Sequence, residues 1–164
     1  MNRMHRLIIS LFVMVLVSAC GFKLQSKSEL PPEMQRTRLE IAAPYSEFAR
    51  RLESHLEQSG VQVVSGLADA AILEVPENAV RKEIQSIGDN ARVREYLIRH
   101  SVRFRLLNSE GVEMIPMQTF EQSRVYSFNA KDILAAEREN EFLKKDLADS
   151  LARMVVRRLG TYPK

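Results

Sequence analysis

His55 and His100 are the side chains that could act as general bases, and the sequence places them on different elements. His55 follows Leu52 by three residues on a predicted helix, so we expect it at the edge of the core. His100 falls on the apolar face of a predicted strand, where a hydrogen-bonded structural histidine is the favoured interpretation. The chain contains no C-x-x-C or H-E-x-x-H metal spacing, no glycine-rich phosphate loop and no G-x-S-x-G nucleophile turn. The sequence therefore predicts no catalytic residue, no metal site and no cofactor.

Arginines are the other group with a chemical use, because a guanidinium can bind a phosphate through two parallel hydrogen bonds. Those of interest follow the predicted first hairpin turn or continue along one predicted strand: Arg92, Arg94, Arg99, Arg103 and Arg105. One interpretation is a row that binds phosphates or an acidic wall, with all but Arg105 as candidate ligand-binding residues. The other is a solvated face whose charges are paired across strands by Glu83, Glu95 or Glu121. The sequence leaves both open.

Cys20 is the only cysteine, and the residues before it have the order of a secretory signal. Residues 1–6 carry two arginines, residues 7–17 are apolar apart from one serine, and small residues precede the cysteine. The apolar run is too short to cross a bilayer as a helix, which takes about 20 residues. The segment Val17-Ser18-Ala19-Cys20 resembles the lipobox of bacterial lipoproteins, which predicts a signal peptide over 1–19 and a lipid anchor on Cys20. In that group an aspartate after the cysteine commonly marks inner-membrane retention, so Gly21 predicts the outer membrane.

The charge of the chain does not indicate a nucleic-acid partner. The 164 residues carry 24 Lys plus Arg against 21 Asp plus Glu, a net charge of +3. Removal of residues 1–19 takes away Arg3 and Arg6, two of the 24, and leaves 22 basic against 21 acidic side chains. A nucleic-acid binder is expected to have a strong basic excess. With 45% hydrophobic and 27% charged residues, the composition instead indicates one globular domain.

The first third of the mature chain predicts a tether, a strand and a helix. Residues 20–36 are polar and contain two prolines, so we interpret them as a lipidated tether and entry loop. Residues 37–43 alternate as a half-buried strand does. A helix then starts at a Ser46 cap and is closed by Gly60. The short apolar run 61–64 that follows is not assigned to a strand.

The rest of the chain predicts a meander and a long helix. Three extended segments between residues 72 and 128 are joined by turn-rich clusters. Proline cannot donate to a sheet ladder, so Pro76 and Pro116 predict bulges or edge exposure in the outer two segments. The final amphipathic helix is predicted to be capped by Asn129 and to end at Gly160.

The middle extended segment has the clearest alternation of apolar and polar residues. One face is apolar and predicts the core side of a sheet: Tyr96, Ile98, Val102, Phe104 and Leu106. The other face carries the arginines and is expected to stay open. Residues 37–164 are therefore predicted to form a single α+β domain, a two-layer sandwich of order β-α-β-β-β-α. We expect a four-stranded, mainly antiparallel sheet with both helices on one face.

Two short motifs and the order of elements resemble a known family. Cys20-Gly21-Phe22-Lys23-Leu24 follows the lipobox directly, and Leu30-Pro31 comes shortly after it. Together with the long last helix, these features resemble the lipopolysaccharide-assembly lipoproteins of the LptE family. The resemblance implies a plug inside the lumen of the outer-membrane barrel LptD, needed for assembly of that barrel, and lipopolysaccharide binding. It also implies basic residues near a hairpin turn and at the head of the last helix. The turn offers Arg92 and Arg94, whereas the helix head, residues 133–137, has no lysine at its fourth residue.

Two functional hypotheses follow. In the first, a lipid-anchored outer-membrane protein, facing the periplasm or inside a barrel lumen, plugs an LptD-like barrel and binds lipopolysaccharide through its arginines. In the second, a lipid-carrying or structural envelope lipoprotein acts without a barrel. A lipid carrier is expected to enclose an apolar cavity. A barrel partner recovered from solubilised outer membrane separates the two hypotheses.

Overall fold

The computed structural model describes residues 30–66, 69–89, 91–129 and 131–162. Its elements in chain order are a 3-10 turn Pro32–Met34, β1 Arg36–Ile41, α1 Glu47–Gln58, β2 Gln62–Val63, β3 Ala71–Ile87, β4 Val93–Leu107, β5 Glu113–Ser127 and α2 Ile133–Leu159. The predicted signal peptide and the Cys20 anchor lie outside the described residues. The predicted entry loop is described from Leu30 onward, and its Met34 is fully buried in the core.

The sheet has five strands in the order β2-β1-β3-β4-β5, so the predicted four strands were wrong. The additional strand is β2, which is only two residues long and pairs with β1 in parallel, Arg36 opposite Gln62 and Thr37 opposite Val63. Its hydrogen bonds hold it firmly to the preceding chain, since the Gln62 amide donates to the Gln35 carbonyl at 2.8 Å. Two residues are too few to show an alternating pattern, which is why the sequence did not indicate this strand.

The direction of pairing changes along the sheet. β1 runs parallel to β3, whereas β3, β4 and β5 form an antiparallel meander. The parallel part arises because α1 crosses over between β1 and β2, and a strand that returns through a helix runs in its original direction. The two prolines lie where bulges were predicted. The β3–β4 register shifts between Glu74 and Glu77 around Pro76, and the β4–β5 register shifts around Pro116.

Helix α1 begins and ends as its sequence predicts. The Ser46 hydroxyl accepts a hydrogen bond from the Ala49 amide at 3.2 Å, which satisfies one of the free donors of the first turn. At the other end, the Gly60 amide donates to Glu57 at 2.9 Å and the Val61 amide to Leu56 at 3.1 Å. These two bonds form a Schellman motif, which requires the left-handed φ of +92° that Gly60 adopts.

Helix α2 begins later than its sequence predicts. Its N-cap is Asp132, whose carboxylate accepts from the Ala135 amide at 3.2 Å, and the prediction of Asn129 was wrong. Asn129 instead accepts from the Lys131 amide at 3.0 Å and so forms a turn before the helix. An asparagine can satisfy either local role, so its position alone did not distinguish them. Over the described ranges, neither helix combines the length and the apolar character that crossing a bilayer requires.

Both helices cover the same face of the sheet, as predicted. Fully buried residues from α1, the sheet and α2 share one cluster, for example Leu52, Phe104 and Leu151. A smaller cluster under the first half of α2 joins Ile98 and Tyr126. Among the described residues, no helix covers the arginine-bearing face of β4, which contacts solvent. Helices on one side only thus leave a long open sheet face.

Candidate functional site: a basic cleft and a paired arginine face

A cleft of about 410 Å³ lies at the tip of the β3–β4 hairpin. Its walls come from the hairpin turn and from the chain between β5 and α2: Gly88, Asp89, Arg92, Val93, Arg94, Phe128, Asn129 and Lys131. The turn is held by two backbone bonds, from the Gly88 amide to the Arg92 carbonyl at 2.8 Å and from the Ala91 amide to the Gly88 carbonyl at 2.9 Å. The walls are thus set by backbone bonds as well as by side chains.

A bulge in β4 positions Arg94. Ser86 lies opposite Glu95 and Ile87 opposite Val93, so Arg94 is the additional residue on the β4 side. Its carbonyl turns to the other neighbour and accepts from the Phe128 amide at 2.7 Å. This bond brings the residues that follow β5, including Lys131, to the hairpin tip.

The chemistry of the cleft suits an anion that carries an apolar group. Three of its lining side chains are cations, Arg92, Arg94 and Lys131, and one is a carboxylate, Asp89. The ring of Phe128 supplies an apolar wall beside them. All three cations are on exposed residues, so a ligand can reach them from solvent. Phosphate oxygens are the natural partners of such a group.

The predicted ligand-binding arginines do not form one site. Arg99 lies on the open face and pairs with carboxylates on both sides, with Glu83 at 3.5 Å and with Glu121. Arg103 is 4.0 Å from Glu77, and Arg105 lies 2.6 Å from Glu74. This row of β4 guanidinium groups between β3 and β5 carboxylates is called the arginine face below.

Pairing stabilises the charged state of Arg99. The hydrogen bond that Arg99 donates to Glu121, followed by the charge of Glu121 and the contacts with Glu83, raises the pKa of Arg99. The cross-strand pairing left open by the sequence is therefore present at Arg99. Glu95, named in the same alternative, instead accepts from the Ser86 hydroxyl at 2.7 Å.

His100 is structural, as expected. It is 2% exposed, and its Nε2 lies 2.7 Å from the Asn78 Oδ1. Because a carboxamide oxygen only accepts, Nε2 carries the proton and donates. Burial lowers the pKa of His100 to about 4. The imidazole is therefore neutral at pH 7 and holds no charge for a ligand.

His55 lies half-buried where α1 meets α2, at the edge of the core. Its Nε2 is 2.8 Å from the Asp149 Oδ1, and Arg153 pairs with the same carboxylate. Burial, followed by the charges of Arg153 and Arg51, lowers the pKa of His55. Within the described residues, no group of three or more His, Cys, Asp or Glu side chains is placed to hold a metal ion.

The sequence decides the family once it is compared with known proteins. The family model for LptE, described as lipopolysaccharide-assembly, matches residues 34–159. This chain belongs to the LptE family. The match covers α1, α2 and all five described strands of the sheet. The family that the sequence motifs and the order of elements resemble is thereby confirmed.

Curated LptE proteins and solved structures agree with this assignment. The LPS-assembly lipoprotein LptE of Yersinia enterocolitica is 31% identical over 160 residues, which are 94% of this chain and 76% of the relative. That of Photorhabdus laumondii is 25% identical over 98% of this chain and 87% of the relative. The solution structure of lipoprotein B from Nitrosomonas europaea superposes with a TM-score of 0.74 at 27% identity, over 87% of this chain and 92% of that one. Rare lipoprotein B from Shewanella oneidensis, at 21% identity over 77% and 94%, has the same fold with a TM-score of 0.67.

Lys131 is the cleft residue of this LptE-family chain that sequence reasoning missed. It precedes α2, whereas the family resemblance points to the helix head, which begins at Ile133. The predicted antiparallel pairing of β4 and β5 could have indicated the position of Lys131. If β4 and β5 pair antiparallel, the residues that follow β5 must return to the start of β4, beside Arg94.

Proposed function

We propose that this LptE-family chain is an outer-membrane lipoprotein, anchored through Cys20, that plugs an LptD-like barrel and binds lipopolysaccharide at the hairpin-tip cleft. The family membership supports the role in lipopolysaccharide assembly. The observation that carries the binding proposal is the convergence of Arg92, Arg94 and Lys131 on one cleft beside Phe128. Lipopolysaccharide presents phosphates next to acyl chains, which matches that combination of cations and an aromatic ring.

The arginine face supports the plug role. Its cations already have carboxylate neighbours, so the face is hydrophilic without an excess of one charge. Such a surface can lie against a polar, hydrated wall without leaving unpaired charges, and complementarity then sets the register of the two surfaces. The 15 residues of β4 extend over roughly 50 Å. The domain thus has the elongated shape that filling a barrel lumen requires.

Lipopolysaccharide binding is assigned to the tip rather than to the arginine face. A phosphate that approaches Arg99 must displace Glu83 and Glu121 or lie close to both carboxylates. Like charges so close oppose binding. Arg99 and Arg103 are therefore proposed to orient the sheet face, with Arg92, Arg94 and Lys131 holding the ligand.

Paired substitutions of equal charge test the binding site. Full-length Arg92→Gln with Arg94→Gln is compared with Arg99→Gln with Arg103→Gln, since each pair removes two positive charges. We expect the tip pair to weaken binding of purified lipopolysaccharide at least tenfold and the face pair to change it less than threefold. Equal losses would show that binding depends on total charge, not on the cleft.

The plug role is tested by affinity purification of the lipidated chain from solubilised outer membranes. A barrel protein in roughly equal amount is the expected result. Recovery of the chain without any barrel would favour the lipid-carrying or structural alternative and would refute the plug. A Cys20→Ala variant, which cannot be acylated, is the control for membrane attachment.

A further inference from the structure

β5 is a long edge strand of the sheet. It is the terminal strand of the sheet, and β4 is its only neighbouring strand among the described residues. Edge strands are commonly blocked by shortness, prolines, lysines or a covering segment. β5 is 15 residues long, and its one proline, Pro116, lies near its start. From residue 117 to residue 127 the strand contains no proline and no lysine.

The hydrogen-bond pattern shows which backbone groups point away from the sheet. The Phe128 amide donates to the Arg94 carbonyl, and the β4–β5 register continues without a shift as far as Phe104 opposite Gln118. In an antiparallel ladder, every second residue bonds to the same neighbour. The even-numbered residues 118–128 therefore face β4. The backbone amides and carbonyls of the odd-numbered residues therefore point away from β4. All five of these residues are exposed: Thr119, Glu121, Ser123, Val125 and Ser127.

One contact supports this assignment independently. The Arg124 guanidinium donates to the Ser123 carbonyl at 3.1 Å, so this carbonyl is turned outward, away from β4. The outer edge of residues 119–127 thus offers amides and carbonyls at the spacing of a strand. Backbone groups enclosed without partners are costly, so an edge placed inside a lumen needs hydrogen-bond partners there, and a paired strand supplies them in full.

The charges along this edge already have partners. Glu121 pairs with Arg99, and Arg124 lies 3.5 Å from Asp146 on α2. The remaining outward side chains are small and polar or, at Val125, apolar. A segment that adds to this edge therefore needs no charged residues opposite it, and unpaired charges there would be unfavourable.

We propose that the outer edge of β5, residues 119–127, pairs with an extended, uncharged segment of the barrel partner, which adds a sixth strand to the sheet. The inference rests on the proposed plug role and names the contact that the role requires. Main-chain hydrogen bonds supply the attraction in such a strand addition, and side chains supply the selectivity. The odd-numbered residues of β5 carry their side chains on the same side of the sheet as the arginine face. A partner strand paired with β5 would therefore extend the interface that the arginine face forms.

Hydrogen exchange of the full-length chain, alone in detergent and in complex with the co-purified barrel, tests this pairing. We expect about five additional protected amides within residues 117–128 of the complex, with the exchange of α2 unchanged. Unchanged exchange of this segment in a complex that contains the barrel overturns the strand addition and leaves the plug role intact. Failure to recover any barrel overturns both. Protection in the free chain that increases with its concentration shows a second copy as the occupant and also overturns the proposal.

A backbone substitution gives a second, separate test. Ser123→Pro removes one outward amide and no bond to β4, whereas Ser123→Ala keeps the amide and removes only the hydroxyl. We expect Ser123→Pro to reduce the recovered barrel at least tenfold and Ser123→Ala to leave it within twofold. Equal recovery with both variants contradicts the proposal. Should Ser123→Pro prevent folding, the exchange measurement on the unmodified chain decides.

Discussion

Nε2 of His100 donates to Oδ1 of Asn78 across β4 and β3, and Asn78 in turn donates to the Ser46 hydroxyl at 2.8 Å. This chain of bonds joins a neutral histidine inside the core to the cap of α1. These bonds hold the start of α1 against β3 and β4. The histidine therefore contributes to the fold, and its protonation opposes folding.

The free energy of unfolding is expected to decrease as the pH is lowered, because of His100. Its pKa is about 4 in the folded chain and near 6.5 when unfolded, so the unfolded state binds more protons between these values. Stability is therefore full above pH 6.5 and is lost as pH falls toward 4, by about 3 kcal/mol from this group. Unfolding of the wild type and of His100→Gln, which cannot titrate there, measures the difference. Parallel pH profiles would contradict the assignment.

Loss of the Ser46 cap should destabilise the domain. Ser46 accepts from both the Ala49 amide and Asn78, so Ser46→Ala leaves two donors without their partner. We expect a loss of about 1–2 kcal/mol in the free energy of unfolding. Ser54→Ala in the same helix is the control. It removes only the exposed acceptor of the Gln58 amide, which water can replace, and alanine has the higher helix propensity, so it should be close to neutral. Urea denaturation of both variants gives the comparison.

The closure of α1 depends on the backbone of Gly60. No atom lies within 4 Å of an added Cβ there, so Gly60→Ala introduces no clash and tests conformation alone. At φ +92°, we expect it to cost about 1 kcal/mol of stability. Gly66→Ala, which has equally open space and no such φ, should be close to neutral. A thermal melting temperature that falls equally in both variants would argue against backbone strain as the cause.

Core packing under α2 should be sensitive to truncation. Leu151 is fully buried between the helices and the sheet, and Leu151→Ala is expected to cost about 2–5 kcal/mol. Phe142 lies on the same helix but is 67% exposed, so Phe142→Ala should change stability by less than about 0.5 kcal/mol. Chemical denaturation of the two variants is the measurement. A large loss of stability in Phe142→Ala would mean that the Phe142 side chain is buried in solution, against another part of the chain or a second copy of it.

Lys131 should contribute to lipopolysaccharide binding. It lines the tip cleft together with Arg94, so Lys131→Gln is expected to weaken binding about tenfold, which corresponds to one charge-assisted hydrogen bond. Lys144→Gln removes an equal charge from a lysine that pairs with Glu141 on the helix surface. That control should bind as the wild type does. The losses are compared in one titration at fixed salt, because screening changes both.

Local patterns determined much of this protein in advance. The alternation in β4, the serine cap and glycine closure of α1, and the two prolines at register shifts all act within a few residues of themselves. Such features can be predicted because their energetics depend on neighbours in the sequence. The structural role of His100 was also predicted, from its place on an apolar face, although its partner Asn78 lies on a different strand.

Only the tertiary structure decided the fifth strand, the parallel pairing of β1 and which cations share a site. β2 exists because Gln62 meets Gln35 across a helix, and Lys131 reaches Arg94 because β5 pairs with β4. In the same way, carboxylates from both neighbouring strands turned Arg99 from a ligand candidate into part of a paired face. These outcomes depend on contacts between residues distant in the chain, whose energies arise only after the strands have been brought together.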